Sequence, residues 1–139
     1  MERAALRLIA RAEQCSFGLK RKLERRNYEP ACINAAIFRL IDLELIDDRR
    51  FACLWLESKL HIARSPRRLL VSLCGRGIAR SDAEAALKTV LDEESEFALL
   101  QRFVNKLKKT DKDSDPRKLK YLLKSEGFST AAIHRFLED

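Results

Sequence analysis

The chain has 139 residues, enough for one ordinary domain or for a short array of repeated units. Hydrophobic residues make up 46% with only 4 Gly and 3 Pro, which excludes wholesale disorder, and the lack of β-branched clusters argues against a sheet. With 28 Lys and Arg against 21 Asp and Glu, the formal net charge of +7 draws the chain toward polyanions or acidic protein surfaces, while no apolar run reaches the roughly 20 residues of a membrane-spanning helix.

In chain order, a first helix is predicted over roughly 3–13, carrying Leu6, Leu8, Ile9 and Ala12. A second carries Leu19 and Leu23 and ends at Asn27, a residue that tolerates the left-handed turn, after which Tyr28 packs back. Pro30 is read as the opening residue equivalent to the later Ser-Pro and Asp-Pro starts, and Ile33, Ile37 and Leu40 keep the 3.6-residue period of an amphipathic helix. Asp47 and Asp48 precede a helix predicted over roughly 49–63, and Asp48 is read as its cap. Phe51 and Trp55, four apart on it, are read as core.

Ser65-Pro66 then starts a helix with Leu69 and Leu73, ending at Gly77 before Ile78. Ser81 and Glu84 have the spacing of a capping box, followed by Ala83, Ala86, Leu87, Val90 and Leu91. Asp92-Glu93-Glu94 reads as a helix end. A helix over roughly 95–109 carries Phe97, Leu100, Phe103, Val104 and Leu107, and the polar stretch 108–115 reads as a loop. Asp115-Pro116 opens the next helix, with Leu119 and Leu123, ending at Gly127 and Phe128; Ile133, Phe136 and Leu137 mark the last.

These elements repeat. A step of 50 residues relates Leu19, Leu69 and Leu119; Leu23, Leu73 and Leu123; Asn27, Gly77 and Gly127; and Tyr28, Ile78 and Phe128. The predicted fold is all-α: three tandem three-helix repeats, 1–48, 49–94 and 95–139, stacked into an elongated, curved array. One repeat alone buries too little to be stable, so neighbours must cover each other's apolar faces.

The four cysteines, Cys15, Cys32, Cys53 and Cys74, form no Cys-x-x-Cys pair, so a zinc site is not expected. No secretory apolar segment precedes Glu2-Arg3; reduced, mostly buried thiols in a cytoplasmic protein are expected. His61 and His134 have no metal-ligand partner at i+4 and no nucleophile companion, and no Gly-rich phosphate loop exists. No catalytic residue, metal or cofactor is expected, and the protein reads as a non-enzyme.

The segment running from Leu43 through Ile46-Asp47-Asp48-Arg49-Arg50-Phe51 to Ala52 resembles the hallmark of the RecX family, a Leu-Asp-Asp turn leading into a helix that opens with Phe-Ala. Trp55 stands where that family commonly has an aromatic. Ser65-Pro66-Arg67-Arg68-Leu69 and Leu73 through Ile78 are similar to its Pro-Arg-x-Ile/Leu and Lys-Gly-Ile elements, and Leu19 to Leu23 to its Leu-x-x-Lys-Leu element. Asn27 and Gly18 depart from the family's usual Gly and Glu. The resemblance implies partners: RecA and the RecA–single-stranded DNA filament, whose growth, ATP hydrolysis and co-protease activity such proteins restrain. A monomer with weak direct DNA binding is expected, and the lack of a long apolar run gives no reason to expect a membrane partner.

Candidate contact residues are Lys20, Arg50, Arg64, Arg67, Arg68, Arg76, Arg117, Lys118, Lys120 and Lys124. The repeat-equivalent pairs Lys20/Lys120 and Arg68/Lys118 predict a basic stripe recurring along the array. Arg50 lacks the local capping role that accounts for Asp48. The rival reading is a helix-turn-helix-like protein acting on nucleic acid directly, since Leu73, Gly77 and Ala83 have that motif's spacing. Its recognition-helix starts, Pro30-Ala31-Cys32, Arg80-Ser81-Asp82 and Thr130-Ala131-Ala132, are poor in base-reading groups.

Overall fold

The computed structural model describes residues 1–11, 13–110 and 115–138. Among them are nine helices and no strand: α1 (Glu2–Arg11), α2 (Ser16–Arg25), α3 (Pro30–Asp42), α4 (Asp48–Lys59), α5 (Pro66–Gly75), α6 (Arg80–Val90), α7 (Glu93–Thr110), α8 (Pro116–Ser125) and α9 (Thr130–Glu138). They pack in trios: α1 on α2 and α2 on α3; α4 and α5 on α6; α7 and α8 on α9.

The second helix of each trio is built by one rule. Its N-cap falls on the 50-residue step at Cys15, Ser65 and Asp115, whose side chains accept from the backbone N–H of Gly18, Arg68 and Arg117. Its end falls on the same step, with Asn27 at φ 64° and Gly77 and Gly127 at φ 91°. Ile78 N–H donates to Leu73 O at 3.2 Å and Phe128 N–H to Leu123 O at 3.1 Å, closing the turn on carbonyls the helix would otherwise leave open.

Several local expectations are corrected. Pro30 opens α3, the third helix of its trio; the counterpart of Pro66 and Pro116 is Ser16, with Cys15 as cap. The Ser81–Glu84 capping box does not form: α6 begins at Arg80 after Ala79, without a side-chain cap, and Glu84 instead accepts from Arg80 Nε at 2.8 Å. The cap of α4 is Asp47, which accepts from Arg50 N–H, while the Asp48 carboxylate turns to another helix. α4 stops at Lys59, short of 63, where the chain turns to deliver Ser65 to the next joint. Asp92 begins α7 rather than ending α6: its Oδ1 accepts from Ser95 N–H at 2.8 Å, which holds its carboxyl below the ordinary aspartate value. Residues 108–110 are the last turn of α7, and 111–114 lie outside the described residues, as does Ala12.

Two apolar cores result. Ala4, Ala5, Leu19, Leu23, Ile33, Ile37, Leu40 and Ile46 form one, inside the first trio. The other is shared by the second and third trios, running through Leu56, Leu69, Leu73, Leu99, Leu100, Leu123 and Ile133, and among the described residues Cys15 alone reaches into it from the first trio. Phe51 and Trp55 are half-buried against this shared core, whereas Leu54, Leu6 and Leu137 are exposed. The thiols are free but not mostly buried: Cys15 is buried, Cys53 half-buried, and Cys32 and Cys74 exposed on the outer sides of α3 and α5. Total accessible surface is 9377 Å². A compact monomer of this mass would expose about 7,400 Å². The excess is the surface of an extended array.

The trios join by a second rule. Cys15 donates its thiol to Arg76 O at 3.7 Å, and Ser65 Oγ donates to Glu126 Oε2 at 2.5 Å, two bonds that each span 61 residues. The N-terminus of α2 thus sits on the C-terminal turn of α5, and that of α5 on the C-terminal turn of α8, where Arg67 N–H also donates to Glu126 O at 3.0 Å. Phe17 lies so close over Gly77 that a Cβ there would overlap its ring. The second helices therefore run head to tail, positive N-terminal end against negative C-terminal end.

Candidate functional site: the ridge of second helices

The head-to-tail row gathers charge. α2, α5 and α8 hold Lys20, Arg21, Lys22, Arg25, Arg67, Arg68, Arg117, Lys118, Lys120 and Lys124 against the single carboxylate Glu24. The third helices balance, with Arg39, Arg80, Lys88 and Arg135 against Asp42, Asp82, Glu84 and Glu138. The net charge of the chain is therefore concentrated on the second helices. Such concentration raises the local potential well above that of the same charges dispersed.

At the joint of the second and third trios the ridge opens into a groove of about 550 Å³ lined by Arg64, Arg67, Arg68, Val71, Ser72 and Glu126. The N-terminal N–H groups of α5 do not face a ligand here: Glu126 O takes that of Arg67 and Ser65 Oγ that of Arg68. An anion entering this groove would meet the guanidinium groups, whose planar forks suit phosphate and carboxylate alike. Arg64 is half-buried, and Arg67 and Arg68 are exposed. Ser72 and Glu126 escaped the sequence reading; Glu126 belongs to the 61-residue joint, which no single repeat displays.

The remaining candidates divide. Arg117, Lys118, Lys120 and Lys124 are exposed on α8, apart from the rest, and Lys20 is half-buried on α2. Arg76 is exposed just past α5, its guanidinium 5.3 Å from the Trp55 ring centroid, with Lys59 at 5.9 Å, so Trp55 is covered by two cations. Arg50 is off the ridge and does have a local role. Its Nε donates to Glu13 Oε1 at 2.6 Å and its guanidinium reaches Glu44 O, and the Glu13 bond holds its pKa above the ordinary arginine value. Arg50 fastens the joint of the first and second trios together with Asp48, whose two oxygens accept from Ser16 N–H and Oγ at 2.7 Å each.

His61 and His134 are exposed, the latter 2.8 Å from Glu138. Among the described residues no group of three His, Cys, Asp or Glu is placed to hold a metal ion, and no helix is long and apolar enough to cross a membrane.

Comparison with known proteins agrees with this architecture. The family model for the first three-helix domain of RecX matches residues 3–40. A protein named regulatory protein RecX from Treponema pallidum subsp. pallidum is 32% identical over 137 residues, covering 98% of this chain and 82% of its own. Another of that name from Caldanaerobacter subterraneus subsp. tengcongensis is 26% identical over 133 residues, 96% of this chain and 66% of its own. The crystal structure of RecX from Lactobacillus salivarius superposes with a TM-score of 0.73 at 25% identity, over 99% of this chain and 92% of that one. A further crystal structure of a regulatory protein RecX has the same fold, with a TM-score of 0.78 at 19% identity, over 99% of this chain and 70% of that one. With nine helices in three stacked trios among the described residues, and full-length likeness in sequence and fold, this chain belongs to the RecX family of regulatory proteins.

Proposed function

We propose that this protein binds RecA and the RecA–DNA filament and restrains its recombinase, ATPase and co-protease activities, thereby modulating DNA repair and the SOS response. The observation that supports the reading is the ridge: ten cations against one carboxylate on three helices that meet end to end. A nucleoprotein filament repeats along its axis, and a row of charged helices meets successive units through modest contacts that multiply in effect. The contact set is Lys20, Arg64, Arg67, Arg68, Arg76, Arg117, Lys118, Lys120 and Lys124, meeting phosphate or acidic RecA side chains. The units 1–48, 49–94 and 95–139 each present one segment of it. The protein acts by occupancy rather than catalysis, without cofactor, as a cytoplasmic monomer on the filament, and binds naked DNA more weakly.

The test is a titration of RecA on single-stranded DNA while ATP turnover is followed. Hydrolysis is expected to fall at stoichiometric or lower ratios of this protein to RecA. Unchanged hydrolysis, with tight sequence-selective duplex binding instead, would reject this reading in favour of a direct DNA reader.

A further inference from the structure

One surface is left over by the ridge. Phe38, Ile41, Leu43 and Leu45 are all substantially exposed at the end of α3 and in the turn that follows. Phe38, 75% exposed, lies one turn before Ile41 and Asp42, so the three share an outward face. Ile41 enters a groove of about 420 Å³ between the end of α3 and the starts of α4 and α6, lined also by Glu44, Asp47, Arg49 and Asp82. The cations at its rim are committed within the chain: Arg39 to Glu2 at 3.6 Å, Arg49 to Asp82 at 2.8 Å and Arg50 to Glu13 at 2.6 Å. Asp42 and Glu44 make no ion pair among the described residues. An apolar patch with a negative edge repels polyanions and suits an apolar group set among cations.

The third trio presents that chemistry. Tyr121 is 78% exposed on α8, with Arg117 and Lys124 about one turn to either side and Lys120 adjacent, and no acidic residue lies on that helix. We propose that copies of this protein associate head to tail, Tyr121 of one copy entering the Ile41 groove of the next while Arg117, Lys120 and Lys124 meet Asp42, Glu44 and Asp47. The two surfaces differ and lie in different trios, so the contact adds copies in a row rather than closing a pair. One side chain in a shallow groove makes a contact well below the roughly 1,200 Å² of stable interfaces, so association is weak and single copies prevail at low concentration. Because the α8 face is also part of the basic ridge, a polyanion competes with the neighbouring copy. The association itself does not depend on which filament the ridge recognises.

The experiment is sedimentation equilibrium of the full chain at low salt, from about 1 to about 500 µM. The weight-average mass is expected to climb past that of a dimer and to fall when salt or a single-stranded oligonucleotide is added. Phe38→Lys and Tyr121→Glu, both at exposed positions and checked for helical content, should each stay monomeric alone. An equimolar mixture of the two should form a dimer and grow no further, since each variant retains one good face. A wild-type chain that is monomeric throughout, a mixture that does not pair, or association unchanged by either substitution overturns the proposal. Each of these results leaves the RecA titration to be judged on its own.

Discussion

Replacing Gly77 by alanine is expected to destabilise the protein by about 2–5 kcal/mol, combining backbone strain with overpacking of a close contact. The backbone at Gly77 sits at φ 91°, and a Cβ there would overlap the Phe17 ring that the first trio lays across it. The equivalent residue of the first trio is Asn27, at φ 64° and exposed, and among the described residues no N-terminal turn of another second helix is seated on it. A side chain is tolerated there because only the turn, and not a joint, constrains it. Asn27→Gly is therefore expected to change stability by no more than about 1 kcal/mol. Urea unfolding of the variants measures both, and in a Phe17→Ala background the Gly77→Ala cost should shrink as the overlap disappears. A Gly77→Ala protein within about 0.5 kcal/mol of wild type would show that the joint has slack where none is expected.

Leu73→Ala is expected to cost about 3–5 kcal/mol, because the side chain is wholly buried and a cavity remains between packed helices. The consequence extends beyond α5. Leu73 belongs to the core shared by the second and third trios, whereas its repeat equivalent Leu23 belongs to the core confined to the first. Hydrogen exchange should thus accelerate through α4 to α9 in Leu73→Ala, and in α1 to α3 alone in Leu23→Ala. Protection of α7 to α9 that is untouched by Leu73→Ala would mean that the two trios do not share a cooperative unit.

The repeat was legible because it rests on residue types with few substitutes: leucine pairs one turn apart and a residue able to turn left-handed, returning every 50 residues. Ser65 and Asp115 announced their helices for the same reason, whereas Cys15, in the same column, did not, because a thiol is a poor cap. Ser81 and Glu84 matched a capping box by spacing alone, and Arg80 took the glutamate. The joints were invisible: Ser65 to Glu126, Arg50 to Glu13 and Asp48 to Ser16 connect different trios, and nothing in one repeat's periodicity encodes its neighbour. Hence Arg50 looked unpartnered, and the cysteines looked mostly buried although two of the four are exposed. The concentration of cations on the second helices was legible in the sequence, but the end-to-end contacts between those helices were not.

The most direct test compares two charge reversals of equal size in the RecA ATPase titration. Arg67→Glu, Arg68→Glu and Lys118→Glu together alter the ridge; Arg39→Glu, Arg80→Glu and Arg135→Glu together alter the balanced third helices. The ridge variant, with helical content intact, is expected to need at least about 100-fold more protein for half-inhibition, since three attractive contacts become repulsive. The third-helix variant should inhibit within a few-fold of wild type. Equal loss from both, or inhibition that survives the ridge reversal, would contradict a filament grip through the second helices.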